Sequence, residues 1–190
     1  GETVEKIDRL PQTEMLRDRG FEILYCTDDV DEFALRMMRD FDGKEFRSVS
    51  DKDLGIEDAG ENEAVKEKAE ENKELLRLLK DDLEGKVKDV RLSTRLKSHP
   101  VCLSADGGVS IEMEKVLNSM PGDQKVQAER VLELNPDHPV FETLRTLFQS
   151  DADKLKTYAG LLYNQALLIE GLPIEDPVAF SNAICDLMAK

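Results

Sequence analysis

The chain has 190 residues, with 41 acidic against 26 basic side chains and a formal net charge of −15 at pH 7. This length can bury a substantial core, and the excess of acid repels nucleic acids and anionic membranes. The three cysteines are odd in number and far apart, which predicts a reducing compartment and neither a disulfide framework nor a metal pair. No apolar run is long enough for a membrane span. We therefore expect no nucleic-acid partner and no membrane partner.

The first fifty residues predict an α/β unit. Pro11 begins a short helix that Gly20 ends, and residues 21–26 form a mostly apolar run, typical of a strand covered on both faces. A second helix follows, and its shared apolar face comprises Val30, Phe33, Ala34, Met37 and Met38. Residues 46–50 then predict a second strand. A strand, a helix and a strand in this order indicate a parallel pair, and the unit lacks the glycine-rich loop that would support nucleotide binding.

The middle of the chain predicts a domain boundary and a long surface helix. Residues 51–60 are polar and contain glycine, whereas residues 61–83 carry charged i, i+3 pairs beside a narrow apolar stripe. Three further segments read as strands: residues 87–92, 100–104 and 130–134. Residues 140–148 predict a helix that starts after a turn rich in Asn, Pro and Asp.

An amphipathic helix lies between the last two strands. One helical face holds its large apolar side chains: Val109, Met113, Val116, Leu117 and Met120. Glycines before it and Pro121-Gly122 after it separate the helix from its neighbours. Two interpretations remain open. The spacing alone favours a helix that faces the core, but methionines also repack around different partners and are typical of adaptable binding surfaces.

The last forty residues predict two helices with more apolar surface than one protomer needs. Asp176 is a good N-cap for the second of them, and Pro177 suits its first turn. The candidate dimerisation residues are Leu155, Tyr158, Leu161, Leu162, Leu167, Leu168, Phe180, Ile184, Leu187 and Met188. Two such helices either cap the core of their own protomer or join a partner's pair in a shared four-helix bundle. We expect a homodimer.

Chemistry is hard to find in this sequence. The two histidines are isolated, and adjacent carboxylates such as Asp28 and Asp29 point apart and are usually solvated. No nucleophile, phosphate-loop or paired-cysteine motif occurs. We therefore expect no catalytic residue, no metal and no cofactor in this stretch, which on its own is not an enzyme.

Four segments carry a resemblance to a known family. They are residues 20–33, residues 41–50 (Phe-Asp-Gly-Lys-Glu-Phe-Arg-Ser-Val-Ser), residues 87–96, and residues 132–139 with their Glu-Leu-Asn-Pro string. In this order they resemble the C-terminal part of the 90-kilodalton heat-shock chaperone family, in particular its bacterial branch. The resemblance implies that residues 1–52 end a middle domain and residues 53–190 form a dimerisation domain. The fold class expected is α+β (α/β), a small parallel-sheet piece followed by a mixed α/β domain whose last helices form a four-helix bundle across the dimer.

The resemblance also implies a function. Phe33 and the helix of residues 109–120 would hold non-native client proteins, and the last helices would join two protomers. ATP and Mg would bind in a domain upstream of Gly1, so we expect this chain to be a piece of a longer ATP-dependent chaperone for protein folding and the stress response. Other chaperones would be its partners and the bacterial cytoplasm its location. The alternative is a purely structural oligomerisation module without client contact.

Overall fold

The structure is a computed structural model that describes residues 1–56, 59–121 and 125–189, without the side chains of residues 59–61. We call residues 1–56 the first region and the residues from 59 onward the second region. The first region contains short elements only. They are α1 (Val4–Asp8), a 3-10 helix (Pro11–Thr13), α2 (Glu14–Asp18), α3 (Asp31–Met38) and an antiparallel hairpin of β1 (Asp40–Phe41) with β2 (Lys44–Glu45). Gly20 follows α2 with φ of 73°, the left-handed conformation of a C′ glycine, as predicted. Few apolar residues of this region are buried: Met15, Leu16 and Leu54 pack together, and Ile7 of α1 is buried apart from them.

The second region is built on a mixed three-stranded sheet. Its strands are β3 (Asp89–Leu92), β4 (Val101–Ala105) and β5 (Arg130–Leu134), in the order β3-β5-β4. The central strand β5 pairs parallel with β3 and antiparallel with β4. All three strands were predicted, and β5 has the predicted ends. Together with the helices they confirm the α+β class.

Helices pack on this sheet and on one another. They are α4 (Ala59–Glu71), α5 (Lys73–Asp82), α6 (Ile111–Ser119), α7 (Pro139–Ser150), α8 (Ala152–Ile169) and α9 (Pro177–Met188). Alternate strand residues such as Val90, Leu103 and Leu132 face the main core, where they meet leucines of α5, α7 and α8. Asp176 caps α9 by accepting from the backbone N–H of Ala179 at 2.9 Å, as predicted.

We expected a parallel pair of strands in the first region, and this prediction was wrong. Residues 21–27 have no regular secondary structure, and no strand is hydrogen-bonded to them within the described ranges. Phe21 is 47% exposed and Leu24 66% exposed. A strand needs a neighbouring strand that satisfies its backbone N–H and C=O groups. An apolar run indicates only that the segment tends to be buried, and it does not by itself predict a strand. Residues 46–50 likewise form no strand.

The predicted helix of residues 61–83 is interrupted. Asn72 separates α4 from α5 with φ of −109° and ψ of 16°, outside the helical range. Its side-chain amide donates to the carbonyl of Lys68 at 2.7 Å, a local contact by which asparagine competes with helical hydrogen bonding. The break separates α5, whose Leu75, Leu76 and Leu79 are buried, from the more solvent-exposed α4.

The other face of the sheet is polar and lies against the end of the first region. Glu133 of β5 is fully buried and pairs with Arg91 at 2.6 Å and with Arg95 at 3.1 Å. These two guanidinium groups hold the pKa of Glu133 below its usual range despite the opposing effect of burial. Arg95, only 1% exposed, also donates to the carbonyl oxygens of Val49, Asp51 and Lys52. The two regions are therefore joined by buried hydrogen bonds near the predicted boundary.

Candidate interaction surfaces

The start of α6 is fixed by α3. Ser110 is the N-cap of α6, where its Oγ accepts from the backbone N–H of Met113 at 3.0 Å. The same hydroxyl donates to Oε2 of Glu32 on α3 at 2.7 Å. Arg36, one turn further along α3, donates to the carbonyl of Gly108 at 3.4 Å. The first turn of α6 is thus held in one position relative to α3.

The far end of α6 is also anchored. The side chain of Asn118 donates to the carbonyl of Val126 at 2.8 Å and accepts from its N–H at 2.9 Å. Glu114 accepts from the N–H of Ala128 at 2.9 Å and pairs with Arg130 at 2.5 Å. The helix that its flanking glycines led us to regard as detached is hydrogen-bonded at both ends. Residues 122–124 of the predicted turn lie outside the described residues.

The inward face of α6 differs from the predicted apolar stripe. Ile111 is fully buried in the main core, and Glu114 is 6% exposed. Sequence reasoning missed both, because a buried Glu–Arg pair has no signature in helical spacing. Four residues of the predicted stripe are half-buried: Val109, Met113, Val116 and Leu117. Met120, the fifth, is 54% exposed. The stripe is therefore neither core nor fully open surface, and its outer parts are available for contact.

Phe33 lies on α3, which packs against α6. Its side chain is half-buried, whereas Met37 on the same helix is 85% exposed and Phe41 of β1 is 70% exposed. The structure thus brings two of the predicted client-binding elements side by side. We call the outward apolar residues Phe33, Met113, Val116, Leu117 and Met120 the α3–α6 surface.

The dimerisation residues of α8 divide into two groups. Four are buried within this protomer: Leu155, Leu161, Leu162 and Leu167, none more than 6% exposed. The reason is that α8 packs against α5, α7 and β4, so the same chain covers most of its circumference. These four residues belong to the protomer and offer a partner no surface, which corrects their predicted role as direct contacts. Tyr158 is half-buried, and Leu168 is 53% exposed.

Helix α9 is uncovered by comparison. It has no buried residue, and its main packing partner is α8. Phe180, Ile184 and Leu187 are half-buried, and Met188 is 81% exposed. Val178, which sequence reasoning placed outside the stripe, is 69% exposed. We call Leu168, Val178, Phe180, Ile184, Leu187 and Met188 the α8–α9 surface.

The buried ionisable groups serve packing more readily than catalysis. Among the described residues, no three His, Cys, Asp or Glu side chains are grouped so that they could hold a metal ion. Burial raises the pKa of the Cys102 thiol well above its ordinary value, which keeps the thiol protonated and unreactive. Burial also raises the pKa of Glu170 to about 7, although a hydrogen bond from Gln12 opposes the rise. Within the described ranges, no helix is long and apolar enough to cross a membrane.

The chain is similar to known proteins over its whole length. A family model described as "Hsp90 protein" matches residues 1–190. The chain is 61% identical to the Chaperone protein HtpG of Halalkalibacterium halodurans over 189 residues, which is 100% of this chain and 30% of that protein. It is 61% identical to the HtpG of Clostridium acetobutylicum and 56% identical to that of Bacillus subtilis, each covering 99% of this chain and 30% of the relative. The chain thus spans about 30% of the length of these relatives. On the match over its full length, the chain belongs to the Hsp90 family.

Proposed function

We propose that this chain is the C-terminal part of a bacterial Hsp90-family chaperone, and that it joins two protomers and binds non-native client proteins. Relatives that bear the name of a chaperone and are about three times longer support the proposal. In this proposal ATP and Mg bind in a part of the longer protein outside residues 1–190. The cytoplasmic location and cooperation with other chaperones are parts of the same proposal.

The observation that carries dimerisation is the uncovered face of α9. A helix of 12 residues with no buried side chain and an exposed Val178 and Met188 has little reason to stay folded against one protomer alone. Leu168 of the neighbouring α8 adds a further exposed apolar side chain. Such surfaces mark sites of protein association, and a second copy of the same helix pair would complete a bundle.

Sedimentation over a dilution series tests dimerisation. We expect a species of about twice 21.4 kDa. Changing Leu168 and Met188 to serine removes two exposed apolar contacts, so it should weaken the dimer by at least about tenfold and leave the protomer folded.

The matched control changes Val4 and Phe148, which are exposed elsewhere, to serine. It should leave the dimer affinity as in the unchanged chain. A chain that sediments as a monomer at every concentration would refute dimerisation through this surface.

Client binding rests on the α3–α6 surface, where a helix anchored at both ends carries the half-buried Met113, ends before the exposed Met120 and packs against the helix of Phe33. Changing Met113 and Leu117 to serine should reduce the affinity for a partly unfolded protein by about tenfold, because each change removes roughly half a buried apolar side chain from the contact. Fluorescence anisotropy of a labelled unfolded protein measures this affinity.

The serine pair at Val4 and Phe148 again serves as the control. Unchanged affinity in the Met113 and Leu117 variant, with its fold verified by circular dichroism, would favour a structural oligomerisation module instead. The anchoring of α6 at both ends is the observation that supports this second function.

A further inference from the structure

The α3–α6 surface is bordered by a group of acidic side chains at the start of α3. Asp28 and Asp29 are exposed, and Asp31 is half-buried at the start of α3. None of the three forms an ion pair with a residue in the described ranges. Asp31 does accept a hydrogen bond from the backbone N–H of Asp28 at 3.1 Å, which holds residues 28–31 in a turn before α3.

The cations nearest to the surface are already occupied. The N-terminal ammonium of Gly1 donates to the carbonyl of Cys26 at 3.0 Å and lies 3.8 Å from Oε2 of Glu112. Arg36 pairs with Glu32 at 3.1 Å and with Asp51 at 3.7 Å. Lys115 on α6 pairs with Glu112 at 2.5 Å. Arg39 lies at the opposite end of α3 from Asp31, about 12 Å away along the helix axis.

The carboxylates lie at the end of α3 that meets α6. Asp31 precedes Phe33 by two residues, which is roughly 3 Å along the helix axis. Glu32, between them, accepts a hydrogen bond from Ser110, the N-cap of α6. Asp28 and Asp29 lie only five and four residues before Phe33, so a bound segment that extends from Phe33 past the start of α3 comes near these carboxylates.

We propose that the α3–α6 surface selects apolar client segments flanked by lysine or arginine. This inference rests on the proposed client-binding function and names the chemistry of its substrate. The apolar side chains contribute contact area that accepts many sequences, whereas the carboxylates favour a positive flank and disfavour a negative one. The net charge of −15 on the whole chain also attracts cationic segments. That attraction is not localised at one surface, and salt at 0.1 M screens it within about 10 Å.

The test compares labelled peptides with one apolar centre and three kinds of flank: two lysines, two serines or two glutamates on each side. Anisotropy titrations should show the lysine peptide binding about tenfold more tightly than the glutamate peptide at low salt. One exposed ion pair strengthens binding by at most about fivefold, and more than one carboxylate borders the surface. The difference should fall to about twofold in 0.5 M salt.

Two matched variants locate the effect. Changing Asp28 and Asp29 to asparagine removes two charges at the surface, whereas changing Glu63 and Glu67 to glutamine removes two exposed charges on α4. Both variants carry a net charge of −13, that is −15 + 2. The asparagine variant should lose most of the preference for lysine flanks, and the glutamine variant should keep it.

Three results would overturn the inference. Equal affinity for lysine and glutamate flanks would refute the preference while leaving client binding intact, because the serine peptide would still bind. Equal losses in the two variants would assign the preference to overall charge. If no peptide binds at all, and the serine change at Met113 and Leu117 has no effect on an unfolded protein, the proposed client function itself fails.

Discussion

A carboxyl group that is buried keeps its proton to a higher pH than one in water, and Glu170 is such a group. It lies at the end of α8, fully enclosed, and receives a hydrogen bond from Gln12 of the first region at 2.5 Å. Gln12 also donates to the carbonyl of Leu103 in β4 at 3.0 Å. One pair of side chains thus connects the first region, the sheet and the C-terminal helices.

This burial predicts a pH dependence of stability. The pKa of Glu170 is about 7 in the folded chain against 4.5 for the free side chain. The folded state therefore holds a proton between these values that the unfolded state has lost, and the free energy of unfolding falls as the pH rises through this window. The full change is on the order of 3 kcal/mol. Urea unfolding at pH 5, 6, 7 and 8, at one protein concentration, measures it.

Glutamine at position 170 supplies the comparison. It keeps the shape and an oxygen for Gln12 but cannot ionise, so Glu170→Gln should be close to the unchanged chain at pH 5 and more stable at pH 8. Parallel stability curves for the two proteins across this range would contradict the assignment of the proton to Glu170.

At the scale of elements, α6 depends on a single hydroxyl at its start. Ser110, 1% exposed, caps the helix and at the same time binds Glu32 of α3. Ser110→Ala removes both hydrogen bonds and should destabilise the chain by about 1–2 kcal/mol. It should also speed amide hydrogen exchange in α6 more than in β5. Ser110→Thr keeps the hydroxyl and should restore most of the protection. Exchange in α6 that is unaffected by alanine would mean that α3 does not fix this helix.

The elements that the sequence predicts well are those whose cause is local. Asp176 with Pro177 starts α9, and residues 130–134 form the predicted strand, which pairs within the same region. Residues 21–26 failed because a strand also depends on a neighbour that the pattern does not name. The break at Asn72 was missed because a single side chain that bonds its own backbone leaves the charge pattern of the helix unchanged.

The predicted surfaces show the same division. Helical spacing identified apolar faces on α6, α8 and α9, but spacing does not reveal which part of a protein covers a face. Leu155 and Leu162 are covered by their own chain, whereas Val178 and Met188 are not. The inward Glu114 of α6 became evident only when the fold placed Arg130 beside it.

At the scale of the whole molecule, the first region depends on the second for its order. Its buried apolar cluster contains only Met15, Leu16 and Leu54, too few for independent stability. Buried hydrogen bonds of Arg95 to residues 49–52 and an ion pair to Glu133 supply the attachment.

Removing this attachment should loosen one region selectively. Arg95→Met leaves Glu133 with one guanidinium instead of two, at a cost of about 3 kcal/mol, and releases three carbonyl groups. Amide exchange in residues 11–18 should accelerate more than exchange in β4 and β5. Arg145→Met, which breaks an exposed pair with Glu142, is the control and should change neither. A uniform acceleration in the Arg95 variant would show that the two regions unfold as one unit.

Hydrogen bonds from the first region also cover the free edge of strand β4. The backbone N–H of Ala105 donates to Ser50 and its carbonyl accepts from Lys52, while the carbonyl of Leu103 accepts from Gln12. These are outward-facing groups of β4, and a strand that leaves such groups free can pair with any extended polypeptide and template aggregation. The first region occupies this edge, so an extended chain, including any client segment of the kind we propose this protein binds, cannot be added to β4 and is left with side-chain contacts that can be released.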